Sequence, residues 1–301
     1  MAHPASVPGA RALLQPDTAP GPGLVDLHLH TTASDGTCGP AELVRRLARA
    51  GIRAFSVTDH DTVDALDEAR RAADTAGLTL IAGIELSAYW GAVEFHILGY
   101  FIDPANAALR TFLDTTREAR RERLHAMLSR LHAMGMRVPA GDVLARARNG
   151  NVGRPHLARA LVERGFVGSA DEAFDRYLGS DKPAYVPRPD VSVGDAIGVI
   201  REAGGIASLA HPGLHNRDEA IPDLVAAGLA AIEVYHPKHA FGRARRYRRV
   251  AQQHGLLITG GSDFHGVDER DHASVPGLPC LPEADYERLL AAARACGARL
   301  P

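Results

Sequence analysis

Seven short apolar segments in this chain each carry a histidine or an acid at or near the C-terminal end, and no other feature constrains the fold as much. The first runs Gly23-Leu-Val-Asp26-Leu-His28-Leu-His30. Apolar and polar residues alternate there with the period of a half-buried strand. His28 and His30 therefore face one way, Leu27 and Leu29 the other. Two imidazoles side by side make half of a metal site. Asp35 follows in a Ser-Asp-Gly turn that can fold back over the same mouth.

Further strands are predicted over 52–58, 78–84, 93–101, 205–210, 230–235 and 256–260, and helices over 40–50, 64–76, 193–203, 219–227, 241–254 and 283–296. Strand followed by helix at short intervals is the pattern of a parallel sheet with helices outside. About seven such units suit a barrel related to the (β/α)₈ type. The rhythm breaks between Pro104 and Pro183, where Leu109, Phe112, Leu113, Leu124, Met127, Leu128 and Leu131 trace a long helical stripe. Shorter helices are predicted at 140–148, 154–165 and 170–178. Residues 104–183 thus form a helical insertion between two parts of the barrel, 23–103 and 184–301. Residues 1–22 are Pro-rich, with no basic start or continuous apolar stretch, and read as a disordered tail and not a secretory signal.

In barrels of this kind the working residues sit at the C-terminal ends of strands. Here those positions hold His28, His30, His60, Glu85, His96, His211, His236, Asp263 and His265. Core histidines would be scattered; these recur at one structural position. The donors are imidazole and carboxylate without thiolate, which suits Mn²⁺, Fe²⁺ or Zn²⁺, and their number requires more than one ion. Cys38, Cys280 and Cys296 are odd in number and far apart, so no disulfide framework is expected and a cytoplasmic location follows. No apolar run approaches the roughly 20 residues that span a bilayer. A net charge of −2 argues against a chain that binds nucleic acid over its whole surface, though not against a local basic patch.

The chain resembles the polymerase-and-histidinol-phosphatase (PHP) family. The motifs that carry the likeness are Asp-Leu-His28-Leu-His30, Ser-Asp35-Gly, Thr-Asp-His60-Asp-Thr, Gly-Ile-Glu85, Phe-His96-Ile-Leu-Gly-Tyr, Ala-His211-Pro and Gly-Ser-Asp263-Phe-His265-Gly. Within the family it is most similar to bacterial phosphoesterases that act on 3′,5′-nucleoside bisphosphates and on 5′ ends of short RNAs. The insertion, with its Asn151-Val-Gly-Arg154-Pro-His156 segment, resembles theirs. Ala65 departs from the family pattern, where Gly is expected, at a loop position that touches no ligand. The resemblance implies a distorted (β/α)₇ barrel with three divalent ions, Mn²⁺ foremost. It implies His28, His30, Glu85 and Asp263 on one ion, Asp35, His60 and His265 on a second, and Glu85, His96 and His211 on a third.

Such ions lower the pKa of bound water from 15.7 to about 7 and so supply hydroxide for attack on a phosphate ester. No protein nucleophile is then needed. Arg154 and His156 are candidates for gripping phosphate, Arg154 by its guanidinium fork. His236 is a candidate proton donor to the leaving oxygen, or a partner of a metal-bound group. Asp61 is a candidate substrate neighbour, and Asp26 an orienting group. Lys182 and Tyr185 read as linker residues. Arg117–Arg130, where Arg and Glu intersperse, reads as a solvated face. Arg243–Arg249, with five Arg and no acid, is open between a solvated face and a polyanion site. His125, His132, His215, His239, His254 and His272 have no placement argument.

The expected substrate is a small nucleotide or short oligonucleotide, with no membrane and no obligate protein partner. Three other readings compete. A histidinol-phosphate phosphatase would share the core, and the Arg154-Pro-His156 segment weighs against it. A binuclear amidohydrolase would carry a bridging mid-barrel Lys, and no Lys precedes Lys182. A non-catalytic PHP module would come attached to polymerase domains and tolerate lost ligands; here the ligand set is intact.

Overall fold

Short β-branched and aliphatic runs, each stopped by a turn signal, set the architecture. A computed structural model describes residues 23–145, 147, 152–187, 191–266 and 275–301. The expected tail at 1–22, Asn151, His272 and part of the predicted 140–148 helix lie outside the described residues. The strands are β1 (Leu24–Asp26), β2 (Ile52–Val57), β3 (Thr79–Trp90), β4 (Val93–Tyr100), β5 (Ile206–Leu209), β6 (Ala231–Tyr235) and β7 (Leu257–Gly260). The helices are α1 (Pro40–Arg49), α2 (Leu66–Ala76), α3 (Ala107–Ala133), α4 (Ala140–Leu144), α5 (Arg154–Glu163), α6 (Ala170–Ala173), α7 (Val193–Glu202), α8 (Ile221–Ala226), α9 (Phe241–His254) and α10 (Glu283–Ala295).

The strands lie in sequence order, β1 to β7. β1–β3 run parallel to one another, and so do β5–β7. The regular part of β1 ends at Asp26, short of the predicted strand. Beyond it Leu27 N–H donates to Gly260 O (3.2 Å) and His30 N–H to Phe264 O (2.9 Å), joining the two edges of the sheet into the distorted barrel.

β4 departs from expectation. It pairs antiparallel with both β3 and β5. Only Gly91 and Ala92 separate β3 from β4, and a parallel connection needs a dozen or more residues. Gly91 takes φ +58°, as a tight hairpin turn requires. The register sets His96 opposite Ser87, one diagonal step from Glu85 on the same face.

Buried apolar side chains form two clusters. One fills the barrel and its surrounding helices, with Leu27, Leu29, Phe55, Ile81, Ile97 and Ile232 among them. The other lies within the insertion and includes Leu124, Leu131, Val138, Leu157, Leu161 and Leu178. α3 serves both, Leu109 and Leu113 packing on the barrel and Leu124 to Leu131 in the insertion. Each fully buried Leu contributes roughly 1.5–3 kcal/mol, so this continuous helix ties the insertion firmly to the barrel. No helix among the described residues is long and apolar enough to cross a membrane.

Candidate metal centre

Glu85, near the middle of β3, is the hub. It is fully buried, and its two oxygens meet five imidazoles from the strand ends around it. Oε2 lies 3.3 Å from His28 Nε2, 3.2 Å from His30 Nε2 and 3.2 Å from His60 Nδ1. Oε1 lies 2.9 Å from His96 Nδ1 and 3.1 Å from His211 Nε2. Asp263 Oδ1 approaches the first pair as well, at 3.4 and 3.3 Å. Asp35, on the turn after β1, sits 3.3 Å from His265 Nε2 and 3.9 Å from His60 Nε2. All nine residues singled out as ligands converge in one place.

Three groups of donor atoms lie within 4.8 Å of one another: His28, His30 and Asp263; His30, Asp35, His60 and His265; and His60, Glu85 and His96. Buried His30 makes no hydrogen bond through Nδ1, a costly state unless something else engages that atom. Nitrogen and carboxylate donors suit divalent cations of intermediate softness. The residues fit a group of bound cations.

A layer of other residues aims these donors. Glu233 on β6 accepts from His28 Nδ1 (2.9 Å), which turns Nε2 toward Glu85, and its second oxygen accepts from the His211 N–H (2.7 Å). Metal-ligating histidines usually rely on such a partner. His265 Nδ1 donates to Asp263 O (2.9 Å) and frees Nε2 for Asp35. Asp59 accepts from Thr31 N, Thr31 Oγ1 and Ser34 Oγ, which fastens the Asp35 turn to the end of β2. His239, buried, donates to Val234 O and accepts from Gly213 N, pinning the loop after His211. Asp26 accepts from Ser262, Gly277 and the His28 backbone N–H, so it orients the backbone that carries His28 and the backbone next to Asp263. At Gly261 a Cβ would fall 2.3 Å from His28 N; only glycine lets β7 close on β1 there. Asp61, His211 and Asp263 all hold φ between +28° and +50°, the kind of strain that persists where surrounding structure enforces it.

The PHP domain pattern matches residues 26–137. The 3′,5′-nucleoside bisphosphate phosphatase of Chromobacterium violaceum is 37% identical over 268 residues, 86% of this chain and 94% of that protein. The chain belongs to the PHP family. The 5′-3′ exoribonuclease Rnm of Salmonella typhimurium is 36% identical over 80% of this chain and 85% of its own length. A Bifidobacterium adolescentis structure named for metal-dependent phosphoesterase activity superposes with a TM-score of 0.82 at 32% identity, covering 91% of this chain and 97% of that one.

Charge in the PHP centre is set by competition between burial and pairing. Burial opposes ionisation of Glu85, Asp35 and Asp263, yet the surrounding imidazoles hold all three well below the usual carboxylate range. Burial likewise opposes a charged His30, but Asp263 and Glu85 outweigh it and push its pKa up to about 10. For His60 burial wins and the pKa falls to about 3. Imidazolium thus balances the carboxylates when no cation does.

The pH dependence follows. His30, raised above its ordinary value, stabilises the metal-free fold fully below about pH 6.5 and loses that effect as pH climbs toward 10. The carboxylates, lowered, stabilise it above about pH 4 and cease to as pH falls further. A cation needs neutral imidazole, so its affinity should rise about tenfold per pH unit for each proton displaced. Melting temperatures measured with EDTA and with Mn²⁺ should therefore draw apart from pH 6 to pH 9. A gap independent of pH would contradict this.

A cavity of about 480 Å³ opens between the PHP centre and the insertion. His60, Glu85, His96, His211, Asp263 and His265 line one side, and Arg154, Ser180, Leu214 and His215 border it. Arg154, the first residue of α5, pairs with Glu94 (3.0 Å) and lies over Phe174 and Tyr185. Tyr185, read as linker, thus packs against Arg154.

Two predicted substrate contacts already have partners within the protein, and His156 also lines a smaller cavity with Asp35, His60, His96 and Arg154. Asp61 is buried and accepts from Arg120 and from Ser87 N (2.9 Å), so its carboxylate is already engaged. His156 is buried; its Nδ1 accepts from Gly153 N (3.1 Å) and caps α5, and it also bonds the Ser34 backbone. It latches the insertion to the Asp35 turn. The reading of Arg117–Arg130 is corrected, because Arg120 and Arg123 are buried and not solvated. Both fall on the buried stripe of α3, at the spacing of Leu109, Leu113, Thr116 and Met127, which is the signal that marks them. Glu233 also escaped notice. A lone acid inside Ala-Ile-Glu-Val-Tyr is its only trace, and a buried acid needs a partner.

Proposed function

We propose that this protein is a phosphoesterase that hydrolyses phosphate esters of nucleotides, such as 3′,5′-nucleoside bisphosphates or the 5′ ends of short RNAs, with three divalent cations, Mn²⁺ foremost. The observation that carries this reading is one cavity lined both by members of the donor cluster and by Arg154. Relatives named for bisphosphate phosphatase and exoribonuclease activity support it. When bound, the cations supply hydroxide at neutral pH and neutralise phosphate charge.

The chain's own residues bind and orient. Arg154, already stacked on Phe174 and Tyr185, exchanges Glu94 for two phosphate oxygens, holding the ester in a fixed direction. His236 acts through another residue. Its Nδ1 accepts from Lys238 N (3.2 Å), so Nε2 carries the hydrogen and donates to Asp263 Oδ2 (3.1 Å). With both ring nitrogens engaged it orients Asp263, the second of the two roles considered for it. Glu94 keeps Arg154 poised while the cavity is open. The free cysteines Cys38, Cys280 and Cys296 suit a cytoplasmic enzyme.

Purified protein with Mn²⁺ is expected to release phosphate from adenosine 3′,5′-bisphosphate. Turnover of histidinol phosphate alone would overturn the nucleotide reading. Arg154→Ala should raise KM for the bisphosphate roughly 10- to 100-fold, since hydrogen bonds to charged groups contribute about 1.5–3 kcal/mol. An unchanged KM would remove Arg154 from the substrate site.

A further inference from the structure

One face of α9 is built for contact and is not used by the metal centre. Phe241 is 65% exposed, more than any other large apolar side chain among the described residues. Arg245, one turn on, lies over its ring with Cζ 5.7 Å from the centroid. Arg249 follows one turn later on the same stripe. The helix is rich in arginine and holds no acid. Two of the arginines are committed, Arg246 to Asp218 and Arg248 to Asp285. Arg243, Arg245 and Arg249 have no carboxylate partner among the described residues.

This face starts at the end of the barrel where the cavity opens, since α9 follows the C-terminal end of β6. α9 begins at the rim, a few residues after His236, which touches Asp263. The Arg243 side chain, on the opposite side of the helix from this stripe, runs beside Gly213, whose neighbour Leu214 lines the cavity. From Phe241 to Arg249 the stripe extends about 12 Å down the outside of the barrel.

We propose that the Phe241–Arg245–Arg249 face of α9 binds the trailing part of a single-stranded oligonucleotide whose end is held at the metal centre. This rests on the nucleotide-phosphoesterase reading and adds to it a surface for the remainder of the strand. Guanidinium groups one helical turn apart match a row of phosphates. An exposed ring with Arg against it is a platform on which a base stacks, whatever its identity. An acidic peptide would satisfy the arginines but leave the ring without a partner, so a nucleic-acid strand fits better.

The test uses the full chain in EDTA, so that no turnover occurs, and a 5′-phosphorylated decaribonucleotide labelled at its 3′ end. By fluorescence anisotropy, R245E/R249E should bind at least tenfold more weakly than the unsubstituted protein. The slope of log affinity against log salt should be shallower by about 1.4, since each phosphate of a single strand that a cation neutralises adds roughly 0.7. Phe241→Ala should weaken RNA binding about fivefold or more while leaving affinity for inorganic polyphosphate within about twofold. In the Mn²⁺ enzyme R245E/R249E should raise KM for the decamer and leave KM for adenosine 3′,5′-bisphosphate unchanged. Equal decamer affinity in all variants would overturn the proposal, as would equal losses for RNA and polyphosphate on Phe241→Ala. If the Mn²⁺ enzyme turns over neither substrate, the phosphoesterase reading fails, and the anisotropy still decides the role of α9.

Discussion

Replacing Glu85 with glutamine is expected to lower kcat/KM for a nucleotide ester by at least about 10³-fold. Loss of an outer partner of a metal ligand costs 10–100-fold, and Glu85 stands at the centre of the donor groups themselves. Its two oxygens meet His28, His30, His60, His96 and His211. Glutamine keeps the shape, removes the charge and turns one oxygen into an N–H₂ donor. Five imidazoles would then surround a group with a single acceptor, and two nearby carboxylates, Asp35 and Asp263, would be left to balance several cations. Metal content by elemental analysis should fall together with activity. Circular dichroism should stay unchanged, because the apolar core of the barrel does not involve this residue. A variant with full metal content and more than a tenth of the activity would show that Glu85 is not needed to hold the cations.

The donors were legible because strand ends are a positional code. His-x-His at the end of one apolar run and Asp-x-His at the end of another declare their faces through the period of two, whatever the rest of the chain does. Where reading the sequence went astray, the missing information was long-range. Glu233 meets His28 across 205 positions, and nothing local distinguishes it from an exposed acid. The antiparallel course of β4 had a local trace, the two residues between Trp90 and Val93, but the apolar run alone does not reveal direction. Glutamates beside Arg120 and Arg123 made that stretch look solvated, although the helical period puts both arginines on the buried stripe.

Severing the buried ion pair between Asp61 and Arg120 should lower stability more than severing any of the exposed ion pairs among the described residues. Both side chains are buried. Arg120 Nε donates to Asp61 Oδ2 (2.9 Å) and its Nη1 to Val152 O (3.1 Å), while Asp61 Oδ1 accepts from Ser87 N. The pair therefore joins the loop that carries His60 to the segment that leads into Arg154. Removing one partner of a buried pair costs about 3–5 kcal/mol. Arg120→Met should lower the melting temperature by roughly 10 °C, at a few degrees per kcal/mol for a chain of this size. Asp61→Asn/Arg120→Met should melt above Arg120→Met alone, because the buried carboxylate charge is removed together with the guanidinium that balanced it. The double variant should still raise KM, since Val152 and the start of α5 lose the guanidinium that holds them against the barrel. Melting of Arg120→Met within about 2 °C of the parent, less than the shift for 1 kcal/mol, would mean that water already reaches the pair, and that the apolar length of α3 and the contacts of α5 hold the insertion to the barrel without it.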